Sequence, residues 1–443
     1  MTTIFEIISE LIGNSSVVLA LITMLGLFLQ NDSLGNIIKE GFLTFIGFLI
    51  MMIGINVIVE SIKYLSMIFE YTLGVKGYIA DVSSMSGVIN KILGSEIALT
   101  LSLTMIINII IARLTKFKFI FLSGQALLWM STVSISVLYA NGIQGGLMIT
   151  IASLWGGIMA VSMPALCQPI VRRITGNDKI ALGHFCSIGY LIQAMIAKVV
   201  GDPKRSTEDI ELPKRFGFLK NSYLSMSLII VPLYVVLALF SGENYFQEQE
   251  YTGNYLIKSF MESMSFIAGI YILNSGVSLI MDSLIPAFKG IATKLVPDSI
   301  PALDCPVFFP YMPNAVILGF LATMLGSVIG VIILPFIGQP IIIPSMLVGF
   351  FAGGTAGIFG NAVGGIRGTL IGGIFHGIFI TIIPAYMVSL SSFYEIQGIT
   401  FSDSDVVISG ILINGIILSN WKMIIMLAFL LIPFIYIKRK YKI

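Results

Sequence analysis

Residues 301–314 read PALDCPVFFPYMPN. Pro301, Pro306, Pro310 and Pro313 forbid a continuous helix, because each removes a backbone donor and clashes with the preceding turn. Asp304 sits among them, and long apolar runs lie on both sides. Broken backbone beside a lone acid is tolerated at membrane depth only where it lines a cavity or is buried in protein. Segments of this kind build the substrate sites of many transporters. The fold therefore turns on whether the flanking sequence is membrane.

Composition says that it is. Of 443 residues, 56% are hydrophobic and only 11% charged, with a mean hydropathy of +0.97. A soluble domain carries about 25% charge. The expected class is an all-α polytopic membrane protein in contact with lipid. The net charge of +2 is uninformative, and no nucleic-acid partner is expected. Cys167, Cys186 and Cys305 have no metal-site spacing and are expected as small buried thiols. The acidic start, MTTIFEIISE, lacks the basic region of a signal peptide, so the first apolar segment is expected to be retained.

Apolar runs fall near 15–30, 42–60, 95–112, 119–139, 145–166, 219–241, 258–281, 314–335, 341–358, 368–390 and 414–437, predicting about eleven spans. They form one membrane domain over 1–437, with a first repeat at about 15–166, a second at about 219–390, a last span at about 414–437 and a basic tail at 438–443. The stretch 180–200, ALGHFCSIGYLIQAMIAKVV (with the adjoining residue), has the length of a span but carries glycines, His184 and Gln193. The positive-inside rule decides its path. With the N-terminus outside and 180–200 not crossing, only Lys63, Lys76, Lys91, Lys258 and Lys422 of 25 Lys and Arg fall outside. Residues 180–200 are thus read as a re-entrant hairpin entering and leaving on the cytoplasmic side, where the C-terminus also lies. SGENYFQEQEYTGN and SSFYEIQGITFSDSD become acidic outside loops.

Asp81 and Asp304 stand 223 positions apart, and that shift overlays the two halves. Span 42–60 lands near 265–283, 119–139 near 342–362 and 145–166 near 368–389. KGYIADVSSMSGVI lands on IPALDCPVFFPYMPNAVI. An odd number of spans lies within the offset, so the copies face opposite ways. Inverted repeats whose broken segments meet at the midplane suit alternating access.

Candidate substrate-binding residues follow from polar groups in apolar or broken context. Asp304 suits a polar ligand, or a structural acid at helix N-termini. Asn314 suits hydroxyls, or an N-cap for the following span. His184, between Gly183 and Gly189, suits a sugar hydroxyl or a proton; a satisfied core histidine is the plainer role. Gln125 is an amide within a span and needs a partner, whether helix or substrate. Trp129 shares its face one turn on, with core packing the simpler reading. Ser83 follows Asp81, and Asn361 stands out in the glycine-rich GFFAGGTAGIFGNAVGGIRGTLIGG. That stretch lacks GxxxxGK[ST], and close helix packing explains its glycines. Arg367 within it suits an anion or a plain cytoplasmic-face charge, and His376 is expected to pack. No nucleophile motif, metal-ligand pair, cofactor site or nucleotide-binding domain appears, so transport rather than catalysis is expected.

The blocks KGIATKLVPDSIPALDCPVFFPYMPNAVILGF, RRITGNDKIALGHFCSIGY and STEDIELPKRFGFL resemble the ascorbate-specific permease family (enzyme IIC) of the bacterial sugar phosphotransferase system. The resemblance implies a homodimer of eleven-span protomers with inverted repeats, binding L-ascorbate and delivering it to a separate phosphocysteine-bearing IIB protein, itself charged by IIA. It also implies that His184 and Asp304 are substrate-site positions. The chain departs from that family at Val82 and Ser83, where a Tyr follows the first-repeat Asp. Gln125 replaces a usual His, Trp129 a Gln, and Phe185 a Gln. A related polyol, pentose or sugar acid is therefore an alternative substrate, and an ion-coupled secondary transporter an alternative class. The loop 201–220, rich in both charge signs, is a candidate docking surface for the phosphoryl donor.

Overall fold

Long apolar runs without breakers form long helices. The computed structural model describes residues 15–74, 77–210, 222–248, 253–390 and 398–418. Its helices are α1 (Ser15–Phe28), α2 (Leu34–Leu73), α3 (Val82–Leu114), α4 (Gly124–Ala140), α5 (Gly145–Thr175), α6 (Ser187–Val200), α7 (Ser222–Glu248), α8 (Tyr255–Leu295), α9 (Pro313–Phe336), α10 (Met346–Leu390) and α11 (Ser404–Leu418). Among the described residues, six helices (α2, α3, α5, α8, α9 and α10) are long and apolar enough to cross a membrane. Most of the span expected at 414–437 lies outside the described residues.

The expected spans at 341–358 and 368–390 fall largely within α10, which is not one rod. Gly365 breaks it with φ 58° and ψ −150°. Thr369 Oγ1 donates to the Gly357 carbonyl at 3.3 Å. In a straight helix residues twelve apart would be separated by roughly 18 Å, so the two limbs fold back as a hairpin. The helix α9 packs against both limbs: a Cβ on Gly319 would lie 2.7 Å from the Gly353 carbonyl, and one on Gly326 2.0 Å from that of Ile374. The glycine-rich sequence is thus a packing device, as lipid-embedded helices without a hydrophobic drive between them require.

The described residues are overwhelmingly helical, as an all-α polytopic membrane protein requires, with short strands added. Among the described residues there are six, each of two to four residues: β1 (Gly77–Ala80), β2 (Phe119–Phe121), β3 (Ala181–Leu182), β4 (Ile300–Leu303), β5 (Ile341–Pro344) and β6 (Ile399–Thr400). They form two parallel three-stranded sheets, ordered β5-β1-β6 and β2-β4-β3. The physical reason is hydrogen bonding. Chain that leaves the helix inside an apolar protein must still pair its backbone groups, and short ladders do this.

The element order repeats. The strand β4 follows β1 by the same 223 positions that separate Asp81 from Asp304, and each is preceded by a helix of 40 or 41 residues. Those two helices cross on a glycine seam. A Cβ on Gly47 would lie 2.9 Å from the Gly276 carbonyl, and one on Gly54 2.7 Å from that of Gly269. The central strand of each sheet belongs to one half and its neighbours to the other: β1 pairs with β5 and β6, and β4 with β2 and β3.

Candidate functional site

Parallel strands end together, and their carboxyl ends are where α/β proteins bind ligands. Both sheets turn their carboxyl ends to one cavity. A cavity of about 230 Å³ is lined by residues just beyond all six strands: Val82 and Ser83 after β1, Gln125 and Trp129 after β2, and His184 after β3. Asp304 and Pro306 follow β4, Val348 and Phe351 follow β5, and Asp403 follows β6. Tyr223 of α7 with Asn274 and Ser278 of α8 complete the wall. Among the described residues the lining contains no Lys or Arg. It mixes apolar and aromatic surface with a few convergent polar groups, the usual make-up of a small-molecule site.

Register explains why His184 meets Asp304. Ala181 pairs with Ala302 and Leu182 with Leu303. Gly183 N–H then donates to the Leu303 carbonyl at 2.8 Å. A Cβ at Gly183 would lie 2.6 Å from the Ala302 carbonyl, so the close approach requires glycine. One residue on, His184 Nδ1 lies 3.0 Å from Asp304 Oδ1, and Nε2 lies 3.1 Å from Asp403 Oδ1. Asp403 Oδ1 also accepts from Cys186 Sγ at 3.0 Å. An ionised carboxylate only accepts, and a neutral imidazole donates through one nitrogen. Both histidine contacts hold together only if the Asp304–His184–Asp403 triad carries two mobile protons.

The loop bearing His184 is clamped by α11. Asp405 accepts from Ser187 N–H at 2.9 Å and Ile188 N–H at 2.8 Å, and Ser404 Oγ from Gly189 N–H at 3.2 Å. These are the unpaired first-turn donors of α6, met by a carboxylate at the positive end of the helix. Trp129 stands edge-on to His184 with ring centres 6.0 Å apart. Phe185 turns away and stacks on Phe121 at 4.7 Å.

The two repeat-related acids differ. Asp81 is spent on structure: Oδ1 accepts from Ser84 N–H at 2.7 Å and Oδ2 from Ser345 Oγ at 2.9 Å, and the residue is outside the cavity lining. Asp304 accepts from Cys305 N–H at 2.8 Å and lies 3.0 Å from His184 Nδ1, yet its side chain stays 37% exposed. It is the carboxylate a solute can reach.

Of the residues singled out in the sequence, His184, Asp304, Gln125 and Ser83 meet around one cavity. Asn314 and Asn361 lie elsewhere. Asn314 Nδ2 donates to the Thr207 and Ile210 carbonyls, and Asn361 Oδ1 accepts from Thr207 N–H at 2.9 Å. They tie the segment 201–210 to α9 and α10. The remainder of the 201–220 loop lies outside the described residues. His376 is buried, with Nδ1 3.3 Å from Thr323 Oγ1.

The stretch SSFYEIQGITFSDSD, expected as an acidic outside loop, has its residues 391–397 outside the described residues; at its end Asp403 and Asp405 are 1% and 0% exposed and hold the histidine loop. A sequence signal for this burial is that GITFSD repeats the order of GYIAD and IPALD, a short apolar run and then an acid.

Two clusters offer metal-type donors close together, His184 with Cys186 and Asp403, and His184 with Asp304 and Cys305. Both share one imidazole whose nitrogens already face carboxylates. All three cysteines are buried as free thiols.

Against this geometry the family comparison is direct. A family profile described as "PTS system sugar-specific permease component" matches residues 10–405. The chain belongs to this family. Membership of a permease family accounts for the long apolar helices. A relative is the ascorbate-specific PTS system EIIC component of Mycoplasma pneumoniae (strain ATCC 29342 / M129 / Subtype 1), 24% identical over 371 residues. The match spans 71% of this chain but only 56% of that protein.

Proposed function

We propose that this chain is the membrane permease of a sugar phosphotransferase system. It binds a small polyhydroxylated solute in the cavity between His184, Asp304, Gln125 and Ser83, and carries it across the cytoplasmic membrane. A separate IIB protein, charged by IIA, then phosphorylates it at the cytoplasmic face. The observation that carries this reading is the convergence of six strand ends on one cavity with a few polar groups aimed into it, in a chain of this permease family. L-ascorbate is the first candidate substrate, from the name of the Mycoplasma relative. Gln125, Trp129 and Phe185, which replace groups usual in ascorbate permeases, favour a polyol, pentose or other sugar acid as the second.

The proposed arrangement is eleven spans in two inverted repeats, with the N-terminus outside, the C-terminus inside and two protomers per assembly. The parallel limbs of evidence in sequence are the basic residues gathered on one side and the repeat at 223 positions. Residues 180–200 form the cytoplasmic hairpin in this arrangement. Its helix α6 has 14 residues, about 21 Å, against a hydrocarbon core of about 30 Å.

The test is uptake of labelled L-ascorbate into cells expressing the chain, with and without the general phosphotransferase proteins. Uptake that needs those proteins and yields ascorbate phosphate is the expected result. Uptake without them that collapses with the proton gradient would replace this reading by secondary transport. No ascorbate uptake in well-expressing cells would shift the substrate to the polyols, pentoses and sugar acids screened in the same way.

A further inference from the structure

A second cavity, larger than the substrate site and separate from it, opens between α5 and α6. It encloses about 660 Å³ and is bounded at the α10 hairpin by Val363. Its wall is apolar, formed by residues such as Leu166 and Ile170 on α5 and Leu191 and Met195 on α6. The exceptions are two cations, Arg173 and Lys198; among the described residues no acid lines it.

The cations set this groove apart from ordinary packing space. Arg173 lies in the last turn of α5, a helix long and apolar enough to span, and Lys198 in the last turn of α6. Both are exposed, and among the described residues neither is hydrogen-bonded or ion-paired. The adjacent Arg172 behaves differently: its Nε lies 2.8 Å from Asp178 Oδ2, and the guanidinium holds that carboxyl below the usual carboxylate range. One arginine is thus neutralised within the protein while its neighbour is left for something outside it. Met195, 61% exposed, keeps the groove open laterally.

We propose that this groove is a binding site for one anionic phospholipid. An acyl chain lies along the apolar faces of α5 and α6, and the headgroup phosphate sits between Arg173 and Lys198. The ligand is a lipid rather than free phosphate because the wall away from the cations offers only hydrocarbon contacts. The charge is negative because two unpaired cations at the end of a span complement a phosphodiester, and basic pockets between membrane helices are a recurrent setting for such headgroups. The site rests on the membrane embedding of the chain and is independent of which solute it carries.

The test is native mass spectrometry of the detergent-purified full chain, delipidated and titrated with palmitoyl-oleoyl phosphatidylglycerol or phosphatidylcholine. Wild-type protein should retain one phosphatidylglycerol in preference to phosphatidylcholine. The double variant Arg173→Gln/Lys198→Gln should lose about tenfold of that affinity. Arg113→Gln/Lys116→Gln, which removes two cations elsewhere, should not. Met195→Trp, which fills the groove without removing charge, should weaken binding too and covers the case in which the double variant fails to fold. Equal retention of the two lipids by wild type would overturn the proposal. So would undiminished phosphatidylglycerol binding in both groove variants, or loss of binding only when the assembly dimerises, which would give the groove to a second copy of the chain.

Discussion

At the scale of single residues, the site is a histidine held between two acids of different kinds. Both line the cavity, but the Asp304 side chain is 37% exposed and that of Asp403 1%. Asp304→Asn keeps an acceptor for Cys305 N–H but removes the charge. Hydrogen bonds to charged groups contribute about 1.5–3 kcal/mol, against about 1 for neutral ones. Solute affinity should fall roughly tenfold or more, with the melting temperature of the solute-free protein little changed. A matching collapse of thermal stability would make Asp304 a structural acid. Asp405 should behave in the opposite way. Its replacement by Ala strands two N–H groups of α6, one buried and one partly buried, at about 1–3 kcal/mol for the buried one. We expect a clear drop in thermal stability, read by size-exclusion after heating, and a smaller one for Asp405→Asn, which keeps one acceptor. Asn361→Ala should loosen the 201–210 segment, seen as faster proteolysis there, with solute affinity unchanged.

At the scale of elements, glycine and proline positions do the shaping. Gly54 packs so closely on α8 that a Cβ would lie 2.4 Å from the Leu273 nitrogen. Gly54→Leu should therefore abolish monodisperse folded protein, since neither backbone can yield without shifting a whole helix. Gly35→Ala, where nothing lies within 4 Å, should be silent. Gly54→Leu protein that behaves like wild type would mean that α2 and α8 do not meet on this seam. The helices were readable from sequence because apolar runs of span length are long and distinctive. The proline-broken stretch around Asp304 and its partner at Asp81 were readable because prolines leave no other option. The strands were not. Two to four residues show no period-2 pattern, and GYIA or IPAL looks like the edge of any apolar segment. Asp403 was harder to read for a related reason: its sequence signal is the short run GITFSD, and its pairing across 219 positions with His184 shows that it is inside.

At the scale of the whole molecule, orientation is the open prediction. A tag at Asn254 should be reached from outside and one at Arg205 only from inside; both on one side would overturn the cytoplasmic hairpin at 180–200. The candidate site, by contrast, is a property of the assembled fold rather than of any one segment, because its lining is drawn from both sheets and from α7 and α8.

The exchange of strands between the halves has a consequence for biosynthesis. Gly77 pairs with Ile341, 264 positions later. At about 5–20 residues per second, β1 waits roughly 13–50 s after synthesis before a ribosome has made its first partner. Throughout that interval its amides face the membrane or the insertion machinery with no ladder to join. Any stop codon before β5 leaves the first half permanently in that state, so a truncated chain should be a substrate for membrane proteases rather than a half-working permease.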